Sequence, residues 1–181
     1  YKFYLFVILF FEFFYYLKNY KGFNINYSNN TKMADNIPCP YYFLFKIKKV
    51  IKFYKFKSLI DLGCGSGRII DFINNNFDNK KICGVEFFNS QYQYCKKVFK
   101  YNKNIKVIKS DFTKLKLSKI NFDVIFISAP FNNKNDFKKF MNTLCGKKLF
   151  KKKIFIIINY DYKLIKSIKR LKFIDSFYFS K

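Results

Sequence analysis

The chain has 181 residues, half of them hydrophobic and 26% charged, which suits one domain with a packed core and a short extension and excludes a disordered tail. It contains no His and no Trp, so Ser-His-Asp and Cys-His catalysis and histidine-ligated zinc are ruled out, and no metal is expected. The net charge of +25 comes almost wholly from Lys, a residue of A/T-rich codons, with only Arg68 and Arg170 as arginines; it predicts weak, salt-sensitive attraction to anions rather than arginine-led reading of a nucleic acid.

Phe3 to Leu17 is an apolar run broken only by Glu12 and flanked by Lys2 and Lys18. At ~1.5 Å per helical residue it falls short of the roughly 20 residues a membrane span needs. Two readings follow: an aromatic-rich helix packed on its own domain or on a partner, or a segment over residues 1–20 that anchors in a membrane or binds its surface. Residues 21–55 read as a polar linker and an amphipathic helix. The linker ends in Ile37-Pro38-Cys39-Pro40, whose prolines enforce extended backbone suited to crossing a domain surface or a ligand. From Tyr41 to Phe56 apolar residues recur at three- and four-residue spacing, which predicts the helix.

From residue 56 to 181 strand and helix patterns alternate. Strands are expected at Ser58–Leu62, Lys81–Glu86, Ile105–Lys109, Phe122–Ser128, Lys153–Asn159 and Phe173–Phe179. Helices are expected at Ile69–Phe77, Ser90–Tyr101, Asp136–Leu149 and Asp161–Arg170. This alternation predicts a doubly wound α/β sheet.

Glycine is scarce, yet Gly63, Gly65 and Gly67 stand together in Asp61-Leu62-Gly63-Cys64-Gly65-Ser66-Gly67-Arg68, between a strand and a helix. Such a turn lets backbone approach a small ligand closely beside free helix N–H groups. A dinucleotide fingerprint, GxGxxG, would need glycine where the chain has Arg68. Glu86 ends the second strand roughly 20 residues beyond the turn, where a ribose-binding carboxylate is expected. The five cysteines, Cys39, Cys64, Cys83, Cys95 and Cys145, are odd in number and form no CxxC pair, so a reducing, cytoplasmic setting is expected.

The stretch DLGCGSGR resembles motif I of the class I S-adenosylmethionine-dependent methyltransferases. Ile82-Cys83-Gly84-Val85-Glu86 is similar to that family's second strand, Val107 to Phe112 to its third strand and the turn after it, and Asp123 to Phe131 to its fourth strand and motif IV. The resemblance implies a Rossmann-like sheet with an N-terminal helical extension, and S-adenosylmethionine as cofactor. It implies cofactor contacts at Asp61, Gly63, Cys64, Gly65, Gly67, Glu86, Asp111, Phe112 and Ser128, with Cys64 in a packing role. It also implies a catalytic loop containing Ser128, Pro130 and Phe131, with Tyr41 and Tyr42 lining the acceptor side.

In that loop Ser128-Ala129 stands where amino-group methyltransferases carry Asn/Asp-Pro, which points away from an exocyclic amine. The reaction implied is in-line displacement, which leans on positioning and tolerates the lack of His. The acceptor stays open between a protein side chain, a small molecule and RNA. Two alternatives stand beside it: a membrane-attached protein-lysine methyltransferase, with residues 3–17 as anchor, and a cofactor-binding protein without catalysis.

Overall fold

The computed structural model describes residues 2–19, 39–115, 121–128, 131–146, 152–158, 160–169 and 171–172. Five strands, β1 (Ser58–Leu62), β2 (Lys81–Glu86), β3 (Ile105–Lys109), β4 (Val124–Ser128) and β5 (Ile154–Ile158), form one sheet in the order β3-β2-β1-β4-β5. Every pairing is parallel, as the helices that connect the strands require. The order reverses between β1 and β4, which opens a crevice at the carboxyl ends of those two strands.

Burial on both faces explains the apolar strands. Helices α2 (Tyr41–Ile51), α3 (Arg68–Asn76) and α4 (Asn89–Val98) cover one face, where Leu59, Ile82, Val124 and Phe126 meet Leu44, Ile70, Phe72 and Cys95. The other face carries α5 (Lys134–Cys145) and α6 (Tyr162–Lys166), with Ile60, Val85 and Ile127 packed on Phe137, Met141 and Leu144. Since side chains alternate along a strand, Asp61, Glu86 and Ser128 fall on the same face as Leu59, Ile82 and Val124.

At the opposite end of the sheet, Asp123 Oδ2 accepts hydrogen bonds from the N–H groups of Lys57 (2.7 Å) and Ser58 (3.0 Å) and from Ser58 Oγ (3.2 Å). Burial opposes its charge, but those bonds and nearby Lys153 hold its carboxyl below the usual carboxylate range. Asp123 is thus a clamp between the starts of β1 and β4, far along both strands from the crevice.

The run Phe3 to Leu17 lies within a helix, α1 (Lys2–Asn19), which packs on α2 through Phe11 against Tyr42 and Phe45, with ring centroids 6.0 and 5.6 Å apart. Helix α2 stops at Ile51, short of the expected Phe56. The N–H groups of Phe53 and Tyr54 bond three residues back, to Val50 and Ile51, which tightens the chain into a turn. Phe56 then enters the core against Phe77. Helix α5 starts before the expected Asp136 because the Asn133 side chain caps it, accepting from the Asn135 N–H, and it ends ahead of Gly146. The linker up to Pro38 and the strand expected at Phe173–Phe179 lie outside the described residues.

Gly67 lets α4 and the residue after it approach the start of α3 closely. Its φ is +90°, and a Cβ there would stand 2.6 Å from the Phe99 ring and 2.8 Å from Cys95 Sγ. Gly67→Ala is therefore expected to cost at least about 2 kcal/mol in urea unfolding, from left-handed backbone strain plus overpacking. Phe99→Leu added to it should recover part of that loss; a Gly67→Ala protein as stable as the parent would contradict the close approach.

Candidate functional site

The glycine turn is built against the end of β2. The N–H groups of Gly63 and Cys64 both donate to the Val85 carbonyl, at 2.9 and 3.0 Å, and the Gly65 N–H donates to Glu86 Oε2 at 2.8 Å. Gly63, Gly65 and Gly67 all have positive φ, of 88°, 54° and 90°, conformations that L side chains rarely adopt. Below the turn, Gly84 leaves room for its neighbours: a Cβ there would lie 2.5 Å from Ile70 Cδ1 and 2.7 Å from Cys64 Sγ. The Cys64 side chain of the turn can pack over β2 only because Gly84 carries no side chain at that point.

Glu86 is 5% exposed and its other oxygen, Oε1, accepts from the Phe88 N–H at 2.7 Å. Burial raises its pKa, while the N–H donors of Phe88, Gly65 and Phe87 act against the rise. The carboxylate is thereby fixed in one orientation with lone pairs left for hydroxyl donors.

Asp61 has a different environment. It is fully buried, and neither of its oxygens has a hydrogen-bond partner. Burial, reinforced by the charge of Glu86, pushes its carboxyl up to about 8. On the neighbouring strand Ser128 ends β4 with a buried Oγ that also lacks a partner. Both groups lie on the same sheet face, at the point where the strand order reverses. Buried polar groups are normally paired, so an unpaired carboxylate and hydroxyl together mark a place that a polar, cationic ligand would complete.

Asp111, after β3, caps its own turn: Oδ1 accepts from the Thr113 N–H (2.9 Å) and Oγ1 (2.6 Å). Phe112 is buried, with its ring edge-on to Phe131 at 5.5 Å and Phe140 at 5.3 Å. That contact ties the turn after β3 to the loop after β4. Phe131 is held further by its N–H, which donates to Tyr160 Oη at 3.2 Å; the Tyr160 ring stacks on Phe137 at 3.7 Å. Pro130 lies outside the described residues. Cys64 is buried, and its contact with Cys95, followed by burial, raises its thiol well above the ordinary range, as a packing residue requires.

Sequence reasoning missed Glu12 and Tyr160. Glu12 Oε2 forms an ion pair with Arg68 Nη1 at 2.6 Å, and Oε1 accepts from the Tyr41 N–H at 2.6 Å. The same guanidinium lies over the Tyr41 ring at 4.7 Å and donates to the Cys39 carbonyl at 3.4 Å. Arg68 is the first residue of α3, so the N-terminal helices are fastened to the glycine turn itself. Tyr41 is buried in this contact, and Tyr42 faces Phe11 of α1. The one available signal for Glu12 was an acid in a run otherwise free of charge. Among the described residues no cluster of three or more His, Cys, Asp or Glu could hold a metal.

Asp61 also makes stability depend on pH. Its folded-state value of about 8 exceeds the ordinary 3.8 of a free Asp side chain, so between these limits the folded state binds more protons and the fold loses stability as pH rises. Asp61→Asn should therefore raise unfolding free energy near pH 8 by on the order of 1–3 kcal/mol and flatten its pH slope. Urea titrations from about pH 5 to about pH 8 read both effects, and an unchanged slope would count against the buried, unpaired carboxylate.

A family profile described as a methyltransferase domain matches residues 55–174. No curated protein matches the chain. Similar solved structures include a protein from Staphylococcus aureus provisionally described as a caffeoyl-CoA O-methyltransferase, with 19% identity over 51% of this chain and 47% of that one, TM-score 0.47. Another is the methyltransferase domain of a bacterial protein named CtHen1, with 22% identity over 56% of this chain and 57% of that one, TM-score 0.49. A third is an RNA methyltransferase from Salinibacter ruber in complex with S-adenosyl-L-homocysteine, with 18% identity over 61% of this chain and 70% of that one, TM-score 0.50. The chain spans about half the length of the first two. At 18% identity the likeness to the third is one of fold.

Proposed function

The chain belongs to the methyltransferase-domain family, and from that premise we propose that it transfers the methyl group of S-adenosylmethionine to a neutral oxygen or nitrogen acceptor. The observation that carries the reading is the pair of carboxylates at adjacent strand ends: Glu86 held by backbone N–H groups, and Asp61 buried without a partner. Each fits one end of this cofactor. Glu86 is suited to the ribose hydroxyls, and Asp61 to the cationic amine, whose charge would relieve the burial of its own. The glycine turn presents backbone rather than side chains to the ligand between them, and Ser128 and Phe131 border the acceptor side.

When bound, S-adenosylmethionine supplies an electrophilic methyl group on a sulfonium, so the protein's contribution is to position and desolvate. Phe112, Phe131 and Phe140 form an apolar cluster that joins the turn after β3 to the loop after β4. A neutral acceptor must still give up a proton, directly or through water. Ser128 Oγ can accept a hydrogen bond from the acceptor group and relay its proton to water, and its hydroxyl has no partner to release first.

Calorimetric titration of the full chain with S-adenosylmethionine, with NAD as control, tests the reading. Binding is expected for the first ligand only and should weaken roughly ten- to a hundredfold in Glu86→Ala, which removes a charged hydrogen-bond acceptor. Affinity should peak near pH 8, because Asp61 ionises at about 8 and an α-amino group loses its proton at about 7.7–8.0. Asp61→Asn should lose the acid limb of that profile. A folded protein that binds neither ligand overturns the proposal, and binding without turnover on any acceptor would make the chain a cofactor-binding protein instead.

A further inference from the structure

Helix α1 exposes one apolar stripe. Phe6, Leu9, Phe10, Phe13 and Phe14 are 65, 57, 48, 59 and 55% exposed, and at ~100° per residue they share a band about 140° wide. Its opposite side is fastened to the domain: Phe11 packs on Tyr42 and Phe45, and both oxygens of Glu12 are engaged by Arg68 and the Tyr41 N–H. The helix's single acid is thus turned inward, and the outward face carries no negative charge. Helix α2, which packs beside α1, and the residue that ends it carry Lys46, Lys49 and Lys52, in a chain whose net charge is +25. Lys46 stands over the Tyr42 ring, 5.5 Å from its centroid, at the seam between the two helices.

We propose that this face of α1 docks on an anionic lipid bilayer, lying in the headgroup interface with its phenylalanines immersed. No helix among the described residues is long and apolar enough to cross a membrane, and a helix held along one side by its own domain can lie only on a surface. The occupant follows from satisfying stripe and lysines together. A second copy would cover the stripe but bring two chains of net charge +25 into contact. A soluble polyanion such as RNA would neutralise the lysines but leave the stripe wet. A neutral apolar groove would do the reverse. An anionic lipid surface buries the stripe and compensates the lysines at the same time.

The absence of Trp from the chain supplies the reporter. Phe13→Trp places a lone indole on the exposed face while leaving the stripe apolar. Its emission should shift to the blue on vesicles of one part phosphatidylserine to three parts phosphatidylcholine, and far less on phosphatidylcholine alone. Co-sedimentation of the unsubstituted chain with the anionic vesicles should weaken at least tenfold in Phe10→Ser/Phe13→Ser, with circular dichroism unchanged. Raising salt from about 0.05 M to about 0.5 M should weaken it by a comparable factor. An unshifted emission, binding by the double variant within twofold of the parent, or lipid-free dimers abolished by the same substitutions would each overturn the proposal. None of these readouts involves S-adenosylmethionine, so its failure and that of the methyltransferase reading are separable.

Discussion

The approach of the turn after β1 to the end of β2 is the contact on which the rest of this structure depends. Two N–H groups share the Val85 carbonyl and a third reaches Glu86; the closeness needs a bare Gly84 beneath the Cys64 side chain and glycines at the positive-φ positions of the turn. Once the turn is placed, α3 must begin at Arg68, α4 must pack at Gly67, and Glu86 is oriented by the backbone it holds. A ligand would meet a surface made mostly of peptide groups, whose shape does not depend on rotamers.

Four acids near strand ends show how environment assigns roles to one chemical group. Asp123 is saturated with donors and joins β1 to β4 at the end of the sheet away from the crevice. Asp111 satisfies itself within its own turn. Glu86 is half satisfied and fixed, and Asp61 is buried without any partner. The last state is the costly one, since an unpaired buried carboxylate destabilises the fold as pH rises. Its cost is intelligible where a cationic group completes it, and stability and ligand affinity are then coupled through a single side chain.

The N-terminal helices are part of the same arrangement. Arg68 sits at the junction of the glycine turn and α3, and through it the turn is joined to Glu12 of α1, the Cys39 carbonyl and the ring of Tyr41. A partly buried pair with 13 and 27% exposed side chains is screened less than a surface pair, so displacement of α1 would be felt at the turn. The extension is therefore a structural neighbour of the candidate site.

From the sequence by itself came the α/β alternation, the strand–turn–helix place of the glycines, and Glu86 as the acid ending β2. Those features are local: periodicity, the need for glycine at positive φ, and spacing along one chain. The direction of Glu12 was hidden, because its partners Arg68 and Tyr41 are distant in sequence and nothing in an apolar run says which side is covered. The run therefore read equally as anchor or core, whereas in three dimensions one side is packed and the other bare. Asp61 and Asp123 looked alike as acids next to strands. Only the assembled sheet, by supplying donors to Asp123 and withholding them from Asp61, made one a clamp and left the other buried and unpaired.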